Sequence, residues 1–119
     1  MGKRRESRPH TTWEKANEYD ALNPLLVAMH KEFQELSKKK PEAALSKSKI
    51  EFVNRLLRSL LALLQAEPQR QFLDLLQEDD IPQNSDVVLV LSQYCAAMAH
   101  FRGKYYGEDE DYEDRWFAK

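Results

Sequence analysis

The groups in this chain whose types and spacing suggest chemistry sit at its two ends. Residues 108–119 read Glu-Asp-Glu-Asp-Tyr-Glu-Asp-Arg-Trp-Phe-Ala-Lys. Carboxylates in such a row steer an encounter toward a basic surface, and aromatic rings are the commonest anchors of an interface. Asp109, Asp111 and Asp114 with Tyr112, Trp116 and Phe117 are therefore the candidate partner-binding residues. Three other readings of the segment stay open. It can be a solvated acidic tail, its rings can fold back over the chain's own helices, or its carboxylates can imitate nucleic-acid phosphate. Asp109-x-Asp111-x-Glu113 has the look of a calcium loop but lacks the glycine and the distal Glu, so no metal is expected.

The opposite end carries Lys3, Arg4, Arg5 and Arg8. Cations on a flexible arm neutralise phosphates and give sequence-independent affinity for nucleic acid, so these four are possible phosphate-binding residues. They are few, and no aromatic residues are interleaved for base stacking. Residues 1–60 hold 13 Lys/Arg against 8 Asp/Glu, and residues 61–119 hold 5 against 12. The two ends are thus suited to opposite partners, or to each other.

Catalysis needs convergent groups, and none converge in the sequence. His10 lies in the arm, while His30 and His100 fall on different predicted helices, with His100 about 120° from the apolar stripe of its own helix. Arg5-x-x-x-x-His10 has the spacing of a motif in a family of helical ribonucleases, but it precedes the first helix cap and includes Pro9, so the match is read as coincidence. No phosphate loop, nucleophile elbow or zinc-protease motif occurs. Cys95, between Leu91 and Met98 on an apolar stripe, reads as a core thiol, and Met29 and Met98 read as core filler. No enzyme activity and no cofactor are expected.

The elements that must position these groups are helices. Thr11 and Glu14 have capping-box spacing and predict a short helix over 13–22. Asn23-Pro24 predicts a restart into a second helix over 24–38, with Leu25, Met29, Phe33 and Leu36 on one stripe. Ser48 and Glu51 cap a third over 47–66, whose Ile50, Val53, Leu57, Leu60, Leu61 and Leu64 recur at helical spacing. Phe52, Leu56 and Leu63 widen that apolar face to about half the circumference, which suits a central helix or an oligomer interface. A shorter helix is predicted over 69–77, then a loop over 78–84. A last helix follows over 86–106, with Ser85 as cap and Gly107 as terminator. Val87–Leu91 has strand propensity, but Val88, Leu91, Cys95 and Met98 continue a helical stripe.

These elements predict an all-α, compact bundle of four to five helices with short loops, its antiparallel centre formed by the 47–66 and 86–106 helices. The domain reading is a flexible basic arm over 1–10, a helical domain over 11–107 and an acidic-aromatic tail over 108–119. One cysteine and the lack of a membrane-length apolar run or an apolar signal segment predict a cytoplasmic, reducing location. Glu6 stands where a myristoylation motif needs Ser or Thr. The expected function is a non-catalytic protein–protein interaction module: an adaptor, accessory subunit or inhibitor. Its partner is another protein with a basic or grooved surface, and homo-oligomer formation is compatible with the wide apolar faces. The alternatives are a nucleic-acid-associated protein using the basic arm, and a small helical enzyme or toxin.

Overall fold

The computed structural model describes residues 8–119. Among them are three α-helices, α1 (Trp13–Lys39), α2 (Lys47–Leu63) and α3 (Asn84–Tyr105), and a two-stranded hairpin, β1 (Tyr106–Glu108) and β2 (Asp114–Trp116). The four-to-five-helix, all-α bundle expected from the sequence is therefore corrected to three helices and a small antiparallel sheet. None of the helices among the described residues is long and apolar enough to cross a membrane.

The count falls first because α1 runs unbroken through Pro24. Its buried residues Tyr19, Leu26 and Phe33 recur every seven positions, and the partly buried Leu22, Met29 and Leu36 repeat in phase beside them. In that register Pro24 lies on the opposite, solvent-facing side and is exposed. The carbonyl that its missing N–H leaves free can take water, so a continuous seam outweighs a local break of about 3 kcal/mol. The cap is Thr12, whose hydroxyl accepts from the Lys15 N–H at 3.1 Å, and not Thr11. Thr11 is instead buried, with its backbone paired to residues 117–119.

The predicted helix over 69–77 is likewise absent. Pro68–Phe72 forms a short 3-10 turn, and the chain then runs extended. The buried side chain of Asn54 on α2 explains this. Its Nδ2 donates to the Leu76 carbonyl at 3.0 Å, and its Oδ1 accepts from the Leu76 N–H at 2.9 Å. Both backbone groups that a helix would have used are thus satisfied from outside. Leu73 and Leu76 still reach the core.

α2 begins at a Ser46 cap that accepts from the Lys49 N–H at 3.3 Å, two residues before the expected Ser48, and ends at Leu63. α3 begins behind Gln83, whose N–H donates to the Asp86 carboxylate at 2.8 Å in a capping box. The Val87–Leu91 run is helical. Gly107 does not terminate α3 with a left-handed turn; it lies in β1. A Cβ there would meet the Arg8 guanidinium at 3.2 Å and the Phe117 ring at 3.8 Å, so close approach favours glycine.

The centre of the fold is α1 against α3, not the expected pairing of α2 with the last helix. The two run antiparallel: Asn84 Nδ2 donates to the Lys40 carbonyl at one end, and Tyr19 stacks on Phe101 at the other. Leu26, Leu91, Tyr94, Met98 and Phe101 of α1 and α3 are fully buried, together with Leu57 and Leu60 of α2. Each buried aliphatic side chain contributes about 2 kcal/mol from area removed from water. The result is an elongated body of 56 × 23 × 20 Å.

Candidate functional site

Between α1 and α2 the seam is incomplete. α2 buries Ile50, Val53, Leu57, Leu60, Leu61 and Leu63, and a second apolar row, Phe52 and Leu56, stands outside that core with Ser59 one turn beyond. On α1, Leu22, Leu25, Met29 and Phe33 face this row. The two walls enclose an open, predominantly apolar groove of about 500 Å³, with Glu32 on the α1 side and Arg55 on the α2 side. Leu25 is 57% exposed and Phe52 59%. Contiguous apolar surface rimmed by charge is one of the surfaces through which proteins meet other molecules. The apolar face of α2 is only partly covered by the core, and the groove is the part left bare beside α1.

The residues singled out in the acidic end are drawn into a hairpin and divided by it. Tyr106 pairs with Trp116, Gly107 with Arg115 and Glu108 with Asp114. Asp109 organises the turn: its Oδ1 accepts from the Asp111 N–H at 2.8 Å and the Glu113 N–H at 3.0 Å. The Glu113 N–H, aided by the Asp111 N–H and Arg115, holds the Asp109 carboxyl below its ordinary range against a smaller opposing effect of burial. Asp111 and Asp114 point to solvent, and Tyr112 is 82% exposed at the tip with a left-handed φ of 62°.

Trp116 is buried. Its ring packs edge-on against Tyr19 and Tyr106, each at 5.3 Å between centroids, and against Phe101 at 6.1 Å. Phe117 is half-buried beneath the Arg8 guanidinium, 3.6 Å from its ring centroid. Of the three candidate anchor rings, only Tyr112 is free to meet a partner. Lys3, Arg4 and Arg5 lie outside the described residues, and so does the Arg5 end of the Arg5/His10 spacing. Arg8 and His10 line one surface pocket with Glu108, Asp109 and Glu110.

Two polar constellations escaped the sequence because they join residues far apart in the chain. Cys95 Sγ lies 3.7 Å from His30 Nδ1 between α3 and α1, and His30 Nε2 is buried with no hydrogen-bond partner among the described residues. Burial pushes the Cys95 thiol up, which keeps it protonated and a poor nucleophile. Glu67, buried after α2, accepts from the Tyr105 hydroxyl at 2.9 Å and from Lys104 Nζ at 3.3 Å, tying the turn to the end of α3. Ile81, exposed and β-branched, adopts a left-handed φ of 50° in the loop before α3, where the Pro82 carbonyl accepts from the Leu45 N–H at 2.9 Å. His100 is exposed on α3. Among the described residues no group of three His, Cys, Asp or Glu side chains is placed to hold a metal ion.

Compared with known protein families, with curated proteins and with solved structures, the chain matches none.

Proposed function

We propose that this chain is a non-catalytic protein-interaction module that acts by docking the groove between α1 and α2 onto a helical surface. The observation that carries this reading is the pair of unpartnered apolar walls, Leu22, Leu25 and Met29 facing Phe52 and Leu56. Helix-in-groove recognition uses such a face, with anchors at the spacing of helical turns. The polar clusters support the same reading from the other side. The Cys95 thiol is half-buried with its pKa raised, and the Glu67 carboxylate is committed to Tyr105 and Lys104. The C-terminal hairpin enters the proposal as a structural cap, with Tyr112 and its carboxylate neighbours as an auxiliary contact.

A photo-crosslinking residue in place of Phe52 tests the groove directly in cells that make the protein. Irradiation is expected to join position 52 to a second polypeptide. The same residue in place of Leu89, which is 63% exposed on α3, should stay unjoined. Absence of any adduct at position 52, or equal adducts at both positions, would overturn the groove as the docking surface.

A further inference from the structure

We infer that the occupant of the α1–α2 groove is a second copy of this chain, packed about a two-fold axis that runs along the groove. This rests on the reading of the groove as a docking surface and adds the identity of what docks. The first argument is charge. Glu32 stands on the α1 wall and Arg55 on the α2 wall, and no ion-pair partner for either occurs among the described residues. A two-fold axis along the groove lays α1 of one copy over α2 of the other. Glu32 of each copy then meets Arg55 of its mate, so one surface supplies two opposite-charge contacts. A partner carrying a single sign of charge would satisfy only one wall.

Shape argues the same way. Phe52 projects from the α2 wall with 59% of its surface exposed, and Leu25 from the α1 wall with 57%. In the two-fold arrangement the α1 wall of each copy lies over the α2 wall of its mate, so both projecting side chains lose their exposure in one isologous contact. Two α1–α2 hairpins packed in this way place four helices around one apolar centre, the arrangement in which amphipathic faces too wide for a single neighbour are covered on both sides.

The test is the mass of the full chain in solution. Sedimentation equilibrium across about 1–100 µM is expected to give twice the 14.0 kDa of one chain, and Phe52→Asp is expected to give one chain mass with its helical circular dichroism intact. Charge exchange is the sharper arm. Glu32→Arg and Arg55→Glu should each weaken association by about tenfold or more, and the two together should restore it, since reversed charges still face each other. A single-chain mass at every concentration overturns the inference, and so does a charge exchange that fails to rescue. If the wild-type chain is monomeric while position 52 still crosslinks to a different polypeptide, the second copy is refuted and the docking groove stands. If neither association nor crosslinking occurs, both fall.

Discussion

Asn54 and Leu76 grip each other through both polar groups of one backbone unit, at 3.0 and 2.9 Å, across a separation of 22 residues. The pair is buried, and it converts a stretch that composition marks as helix into an extended strap over α2. A buried donor and acceptor left unmet cost about 1–3 kcal/mol each. Asn54→Ala should therefore lower the unfolding free energy by about 3 kcal/mol, read from urea denaturation. A loss below about 1 kcal/mol would mean that water reaches Leu76 and replaces the side chain.

Trp116 supports the helices from the hairpin. Large-to-small replacement of a buried Trp costs about 3–5 kcal/mol, and Trp116 packs on Tyr19 and Phe101. Trp116→Ala should bring the thermal midpoint down by roughly ten degrees or more. Removal of residues 108–119 should do at least as much, because it also takes away the backbone pairing of Thr11. A truncated chain that melts at the wild-type temperature would refute the hairpin as part of the fold.

Pro24 is expected to be a burden on stability. Proline inside a helix is about 3 kcal/mol worse than alanine, and Pro24 is exposed with no packing role against the core. Pro24→Ala should raise the urea midpoint, by about 1–3 kcal/mol in unfolding free energy once the added freedom of the unfolded chain is offset. An unchanged or lower midpoint would show that the proline sets a bend on which the α1–α3 seam depends.

At high pH the tyrosines decide stability. Burial pushes Tyr94 up to about 12, and raises Tyr19 and Tyr105 in the same sense. The folded state thus holds these protons more tightly than the unfolded chain, whose tyrosines ionise near pH 10. The stability linked to Tyr94 is complete below about pH 10 and is lost as pH rises through about 12. Tyr94→Phe gives up the bond to the Asp74 carbonyl at 2.8 Å but removes the ionisation. Its stability should decline less steeply than that of the wild type between about pH 10 and 12, measured by denaturation at a series of pH values. Parallel curves would show that Tyr94 ionises in place.

Where the sequence could be read correctly, the signal was local. The stripe Ile50, Val53, Leu57, Leu60 located α2, and the continuous spacing of Val88, Leu91, Cys95 and Met98 kept Val87–Leu91 helical despite its strand propensity. What was lost depends on partners distant in the chain. The break expected at Pro24 ignored the seven-residue phase of Tyr19, Leu26 and Phe33, which counting alone would have revealed. The hairpin was hidden because its acidic turn has the composition of a solvated tail, although Tyr106-Gly107 and Arg115-Trp116 flank that turn symmetrically. Nothing local predicts the groove, since it is the space left between α1 and α2 when α1 packs most closely on α3. The wide face of α2 was visible; which part of it stays bare was not.

The parallel bridge between Thr11 and Ala118, with Thr11 N–H donating to the Phe117 carbonyl and Lys119 N–H to that of Thr11, also sets an order of events in time. Bringing these residues together closes a loop of nearly the whole described chain, whereas the α1–α2 hairpin closes over a short turn. Closure entropy grows with loop length, so the hairpin of helices can assemble early and the pairing of residue 11 with residue 118 comes late. Until Trp116 arrives, the Tyr19 end of α1 is open to water, and a chain emerging from synthesis keeps that pole unsealed while its other pole is already packed.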